Sequence, residues 1–389
     1  MQLTDKQQEG LELAVARYRS NKPYTVIAGY AGTGKSTLVK FIISALGIEP
    51  EDVAYVAFTG KAANVLAKKG CPNATTAHKL LYYSKQLPNG KFLHKPKSRL
   101  EPYKLIVVDE ISMLPIDMWQ LLLKHHIPII CCGDPAQLPP INPDTDNHVL
   151  DSPHIFLDEI MRQAAESEII RLSMHVREGN SLYTFNGENK EIQIVNKSDV
   201  VSGMYEWADQ ILCATNRKKD DVNDFMKLDD TPQEGDKIIG LRNNWNVLSV
   251  ENQTPLTNGT IGLITDYYVE ATHVPRYIFD EPIQIMYTTF QTEDGDTFYD
   301  VPIDYNYLIT GKSQLNNSQK YKLAKNQKCI DPPLEFDYGY GITCHKSQGS
   351  EWDKVLVFED SFPFAAEEHR RWLYTAITRA SEKLVIVRK

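Results

Sequence analysis

At 389 residues the chain is too long for one ordinary core and implies two or three domains of about 100 to 200 residues each. Its 42% hydrophobic and 24% charged residues are those of a soluble globular protein. A formal charge of -9 excludes arguing a nucleic-acid partner from global charge, so any such surface has to be a local basic stripe. The cysteines (Cys71, Cys131, Cys132, Cys213, Cys329 and Cys344) form no C-x-x-C pair, and three fall inside apolar runs, so reduced thiols in a cytoplasmic protein are expected and a zinc site is not. The first residues, MQLTDKQQEG, lack an apolar signal core, and no run nears the ~18 apolar residues of a membrane span, so no membrane partner is expected.

In chain order, the first informative stretch is Ala28 to Thr37, AGYAGTGKST, between an apolar run (Tyr24 to Ala28) and a helix-forming run (Leu38 to Leu46). Gly29, Gly34, Lys35 and Ser36 fit the G-x-x-x-x-G-K-[ST] template. Glycines there let backbone N–H groups crowd round phosphate oxygens, Lys35 reaches the β and γ phosphates, and the Ser36 hydroxyl ligates Mg²⁺. The chemistry is that of a nucleoside triphosphate site, silent on what the energy drives.

Apolar runs at Val53 to Phe58, Leu105 to Val108 and Ile127 to Cys132 alternate with helix-like segments, which indicates a parallel sheet covered by helices. Between them, Pro88-Asn89-Gly90 separates the arms YYSKQL and KFLHK and predicts a β-hairpin. From Ser84 to Arg99 it carries Lys85, Lys91, Lys95, Lys97 and Arg99 and no acid, a pattern equally consistent with a basic binding stripe and with a solvated edge guarded against aggregation. LIVVDE, Leu105 to Glu110, is a buried strand ending in two carboxylates, where Asp109 can hold the Mg²⁺ shell and Glu110 can polarise the attacking water; strand-end acids capping a helix are the alternative. In Gly133 to Gln137, GDPAQ, Gln137 can contact a γ-phosphate, although an Asp-Pro turn reads the same way. Three segments have side chains suited to nucleic-acid backbones: Thr59-Gly60-Lys61, Thr75-Thr76-Ala77-His78 and Thr343-Cys344-His345-Lys346-Ser347; each can equally be a plain helix cap.

A second alternating region is predicted from near Ile155, with a helix over Ser167 to Arg177, strands at Ile192 to Val195 and Ile211 to Ala214, and a helix after Asn216. From Asp236 to about Pro333 the pattern becomes short, turn-punctuated β runs, read as a small antiparallel barrel inserted into the second domain. Parallel texture returns with Asp337 to Thr343, a helix over His345 to Gly349, the strand Val355 to Phe358, a helix over Glu367 to Arg379 and a last strand Leu384 to Val387.

The order of these pieces resembles a superfamily 1 DNA helicase of the five-prime to three-prime subclass, the RecD-like group that includes the phage helicase Dda. The resemblance is carried by Leu3-Thr4 with Gln7, GYAGTGKST, FTGKAA (58–63), TTAHKLL (75–81), VVDEISML (107–114), GDPAQLPP (133–140), LDEIMRQ (157–163), NGTIG (258–262), GYGITCHKSQGSEWD (339–353) and YTAITRA (374–380). It implies an α/β fold of two RecA-like P-loop domains, the first over 1–81 and 100–150, the second over 151–235 and 334–389. A hairpin pin insertion at 82–99 and an SH3-like β insertion at 236–333 go with it. It further implies that ATP with Mg²⁺ lies between the two domains: Gln7 reads adenine, Gly29, Ala31, Gly32, Thr33, Gly34, Lys35, Ser36 and Thr37 cradle phosphate, and Ser36 and Asp109 hold the metal. Glu110 would activate water, Gln137 would sense the γ-phosphate, Arg162 and Arg379 would act as fingers from the second domain, and Gly349 and Glu351 would lie near the nucleotide. Nucleic-acid contacts would come from Thr59, Gly60, Lys61, Thr76, His78, Thr343, His345, Lys346 and Ser347, with Phe92 either stacking on a base or packing on the sheet beneath. The implied partners are single-stranded and forked duplex DNA and replication or recombination proteins, with the chain a monomer. Polarity follows from the resemblance alone. An RNA helicase would share every nucleotide-site residue, while a P-loop kinase or nucleotide switch would leave Arg379, the HKSQGSE segment and the barrel without a task.

Overall fold

A strand apolar on both faces is satisfied only inside a covered parallel sheet, and Tyr24–Gly29 takes that place between Ile129–Gly133 and Ile155–Leu157, buried from Thr25 onward. The computed structural model describes residues 3–86, 92–139, 143–161, 166–188, 190–252, 254–293, 295–326, 330–359 and 366–388. The first sheet runs Ala74–Thr76, Val53–Ala57, Leu105–Val108, Ile129–Gly133, Tyr24–Gly29, Ile155–Leu157, with every neighbour parallel. Its core joins Ile27, Val53, Leu105, Ile130 and Ile155 of the sheet to Ala14 of the helix Asp5–Arg19 and to Leu38 and Ile42 of the helix Lys35–Leu46. The second sheet runs Gly341–Thr343, Gln210–Cys213, Trp352–Phe358, Ala380–Arg388, Ile192–Asn196, and its last four strands pair in parallel.

The chain divides into two compact units: Met1–Leu81 with Lys97–Lys219 and Ile342–Lys389, and Tyr82–Pro96 with Asp220–Gly341. The first unit contains both parallel sheets. In the second, Thr297–Asp304, Ile283–Thr292, Ile261–Thr272, Lys237–Gly240 and Phe336–Tyr338 form an antiparallel sheet whose core includes Phe336 and the stacked pair Phe290 and Phe298, their ring centroids 5.1 Å apart. This unit also holds the hairpin, with Tyr82–Gln86 antiparallel to Phe92–Pro96 and Tyr82 opposite Pro96. The hairpin tip and the Phe92 side chain lie outside the described residues.

Three sequence expectations change. Ile155–Leu157 opens no second region but closes the edge of the first sheet, because its backbone pairs with Ile27, Ala28 and Gly29. The stretch expected as one strand from Asp337 to Thr343 serves two sheets: Tyr338 pairs with Ile238 in the antiparallel sheet, and only Gly341–Thr343 joins the parallel one. The helix expected over His345 to Gly349 is a single 3₁₀ turn, Cys344–Ser347. There the Ser347 hydroxyl donates to the Cys344 carbonyl, 2.7 Å away, and Gly349 leaves the helical region at φ +75.

Candidate functional site

The loop between Tyr24–Gly29 and Lys35–Leu46 is shaped by its own hydrogen bonds. Thr33 Oγ1 donates to the Tyr30 carbonyl (2.8 Å), the Met161 amide donates to the Gly32 carbonyl (3.1 Å), and Lys35 Nζ donates to the carbonyls of Gly29 (2.8 Å) and Tyr30 (3.0 Å). Lys35 is thereby held over the loop as a cation ready to exchange carbonyls for phosphate oxygens. Ser36 is exposed and Thr37 half-buried in the first helical turn, where backbone N–H groups are free of intrahelical partners. Gly34 sits at φ +78, and a Cβ there would come within 2.5 Å of Gln7 Nε2, so only glycine fits.

Gln7 is buried and braces this loop. Its Nε2 donates to the Thr33 carbonyl (3.1 Å) and to Met161 Sδ (3.3 Å), while its Oε1 accepts from the Thr4 amide (3.1 Å) to complete a capping box. The adenine-reading role implied for Gln7 therefore meets an amide already engaged at both ends.

Asp109 and Glu110 end the strand Leu105–Val108 beside the loop. Burial pushes the Asp109 carboxyl up, against the pull of the Lys35 ammonium and of the Glu110 amide that donates to Asp109 Oδ1 (3.1 Å). Glu110 is pushed up by burial and by the Asp109 charge, while Arg379 and Lys35 oppose the shift. A raised carboxyl is a stronger base than an ordinary one. Glu110 also stands at φ +50, a left-handed conformation unusual for its type and typical of functional positions. No group of three or more His, Cys, Asp or Glu able to hold a metal occurs among the described residues. A hydroxyl at Ser36 and one carboxylate at Asp109 nevertheless fit Mg²⁺, which takes few protein ligands and keeps waters and phosphate oxygens, and a divalent charge would relieve the crowded acids.

The two sheets meet at the loop after Ile129–Gly133. Asp134 Oδ1 accepts from the Ala136 amide (2.9 Å), and Asp134 Oδ2 accepts from the Tyr374 hydroxyl (2.7 Å). The same Tyr374 oxygen accepts from the Ala31 amide of the phosphate loop (2.9 Å), so one phenol ties both loops to the helix Ala366–Ile377. Burial, with Asp134 adding to it, pushes this phenol up and keeps it a donor. Next to it, Thr375 Oγ1 accepts from the Leu138 amide (2.9 Å), and Gln348 Nε2 donates to the Leu138 carbonyl (3.0 Å). Gln137 is buried, and its Oε1 has no hydrogen-bond partner among the described residues, an acceptor suited to a water. Arg379 is buried, fixed by donation to the carbonyls of Thr375 and Ser350 (each 3.1 Å) and to Thr378 Oγ1 (3.2 Å), and its charge reaches Glu110. Arg162 lies outside the described residues. Tyr374 and Asp134 are functional candidates that the sequence reading did not single out; the available signal was a tyrosine within a buried helical run, which needs a partner for its hydroxyl.

The segments expected to touch nucleic acid come together in part. Thr59 caps the helix Gly60–Lys68 through the Ala62 amide (3.2 Å), Lys61 Nζ lies 4.6 Å from the centroid of the Trp352 ring, and a Cβ on Gly349 would meet Ala62 Cβ at 3.0 Å. Gly349 packs against the Thr59–Ala62 turn, and Glu351 is exposed. Half-buried Thr343, half-buried His345, whose pKa burial lowers, and exposed Lys346 lie in the same segment. Ser347 is fully buried and bonded within its turn, and Thr76 is buried and caps the Lys79 amide (3.2 Å), so these two hydroxyls are structural. His78 rests against the Phe58 ring, centroids 5.9 Å apart.

The AAA domain family matches residues 2–202, and the UvrD-like helicase C-terminal domain family matches residues 338–387. The ATP-dependent RecD2 DNA helicase of Deinococcus radiodurans is 28% identical, over 92% of this chain and 46% of its own length. The ATP-dependent DNA helicase dda of Enterobacteria phage T4 is 27% identical, over 97% of each chain. The chain thus spans about half of the first relative and nearly all of the second. Among solved structures, the Pif1 helicase from Bacteroides in complex with ADP-AlF3 and single-stranded DNA matches with a TM-score of 0.56 and 16% identity, over 99% of this chain and 92% of that one, a likeness of fold.

Proposed function

The chain belongs to the AAA domain family, and from that premise we propose that it is an ATP-dependent DNA helicase that moves along single-stranded DNA, five-prime to three-prime as in the group it resembles. The observation that carries the reading is the Tyr374 bridge: one hydroxyl joins an amide of the phosphate loop to Asp134, and its helix leads to Arg379 near Glu110. Nucleotide contacts made by one sheet are thereby felt by the other.

In this reading Lys35 and the loop amides bind the β and γ phosphates. Glu110 accepts a proton from the water that Gln137 Oε1 orients, and the Arg379 guanidinium stabilises the charge spread over the transferred phosphoryl group. Ser36 and Asp109 would hold Mg²⁺, which when bound neutralises phosphate charge. ATP favours the state in which Arg379 and Gln137 both engage it; loss of the γ-phosphate removes that preference, and the Thr59–Lys61 and Thr343–Lys346 segments exchange grip on the strand. The hairpin Tyr82–Pro96 acts as a pin at the fork and the antiparallel sheet as an SH3-like insertion beside it.

ATP hydrolysis measured with no polymer, with single-stranded DNA and with RNA, together with unwinding of duplexes bearing either a five-prime or a three-prime tail, tests the proposal. Hydrolysis stimulated by DNA over RNA, and unwinding from the five-prime tail, are expected. Turnover indifferent to any polymer would favour a nucleotide switch or kinase, and equal stimulation by RNA would favour an RNA helicase.

A further inference from the structure

Beside the phosphate loop, within the same compact unit, lies a cavity of about 220 Å³ lined chiefly by Tyr30, Ala136, Arg177, Arg370, Arg371 and Tyr374. Arg177 ends the helix Glu168–Arg177 and lays its guanidinium on the Tyr30 ring, 3.6 Å from the centroid. Its Nη1 is buried without a hydrogen-bond partner among the described residues, although Nη2 lies 4.0 Å from exposed Glu178. A buried guanidinium N–H with no acceptor is costly, and such a group marks where an acceptor belongs. Arg370 and Arg371 both pair with Glu367, the latter at 3.2 Å, so two of the three guanidiniums in the lining share its one carboxylate.

The position of the cavity is as informative as its charge. Tyr30 precedes Ala31, whose amide is held by Tyr374, and Ala136 precedes Gln137; the cavity therefore begins one residue away from both groups expected around a γ-phosphate. Sites for drug-sized ligands run to about 300 to 1,000 Å³, so this one suits a small oxyanion and not a whole nucleotide. We propose that the cavity binds inorganic phosphate, receiving the anion that hydrolysis leaves at the loop and holding it on its way out, with the orphaned Arg177 nitrogen as its principal donor. The inference rests on the ATP-hydrolase reading for the source of the phosphate, but the anion site itself does not.

Titration of inorganic phosphate alone into the full chain, followed by phosphorus NMR line broadening and by calorimetry, tests it in the wild type and in Lys35→Ala, Arg177→Gln and Arg370→Gln. Losing a charge-assisted Arg–phosphate contact is expected to weaken binding about tenfold or more in Arg177→Gln, less in Arg370→Gln, and hardly at all in Lys35→Ala. Product inhibition of ATP hydrolysis by phosphate weakens in the same order of the two arginine variants. Arg370→Gln leaves the Tyr30–Arg177 stack in place and carries the test if Arg177→Gln melts early. Binding abolished in Lys35→Ala and unchanged in both arginine variants would assign the anion to the phosphate loop and overturn the proposal, as would a wild type that binds none. Arginine-dependent phosphate binding in a protein that hydrolyses no ATP would keep the anion site and overturn the hydrolase reading instead.

Discussion

The loop after Tyr24–Gly29 and the loop after Gly341–Thr343 occupy equivalent places, each leaving the end of a strand in a parallel sheet, and each contains a glycine at positive φ, Gly34 and Gly349. Their polar groups are disposed in opposite ways. In the first, Lys35 is half-buried and Ser36 exposed, and the bonds holding Lys35 go to carbonyls it can leave. In the second, Ser347 is fully buried and closed on Cys344, Gly349 is pressed against Ala62, and the Ser350 carbonyl anchors Arg379. On the proposed reading the first loop is the binding surface, while the second is chiefly a frame that fixes Arg379. Topological position alone did not decide which is which. Lysine at the start of a helix, as against serine inside a turn, did.

If that contrast is right, the largest losses come from the first loop and the acids beside it. Lys35→Ala is expected to abolish ATP hydrolysis, and Glu110→Gln to reduce it by about 10² to 10⁴ as for a lost general base, read as steady-state phosphate release with DNA present. The next effect separates charge from chemistry. Because the carboxyls of Asp109 and Glu110 are raised, the folded protein binds more protons than the unfolded chain between the ordinary carboxylate range and the raised one, so this pair stabilises the fold increasingly as pH falls through that window. Hydrolysis moves the other way, since Glu110 must be ionised to accept a proton. Asp109→Asn should therefore melt at a higher temperature than the wild type at alkaline pH, with the gap closing on acidification; a gap independent of pH would contradict the burial argument.

A smaller effect is expected from Tyr374→Phe, which keeps the ring and removes the bridge. Leaving the Ala31 amide and Asp134 without their partner should cost about tenfold in DNA-stimulated kcat with KM for ATP little changed, and a double-mutant cycle with Asp134→Asn should show strong coupling. Additive single effects would dissolve the bridge. The smallest concerns the hairpin: Lys95, exposed on its second arm, should when changed to alanine lower the salt slope of DNA binding by about one, with no change in hydrolysis. Lys97 donates to the Lys79 carbonyl at 2.9 Å and should contribute less.

The nucleotide cradle was legible because its chemistry is local: Gly29, Gly34, Lys35 and Ser36 lie within one turn of chain, and the template constrains backbone and side chain together. The strands Val53–Ala57, Leu105–Val108 and Ile129–Gly133 were legible for a similar reason, being apolar on both faces. Tyr374 was not, because its partners stand 343 residues away at Ala31 and 240 away at Asp134, and its neighbours in sequence read only as a buried helix. Ser347 misled for the converse reason. A hydroxyl near a helix start looks like a ligand group, and only its burial and its bond to the Cys344 carbonyl, set by the fold around it, close it off.

Whether the second sheet acts on a nucleotide held by the first is decided by Arg379→Ala, with equilibrium nucleotide binding and single-turnover hydrolysis measured on the same protein. Near-normal binding and hydrolysis slower by about 10³ to 10⁵ are expected. Hydrolysis at the wild-type rate would contradict that role of the second sheet.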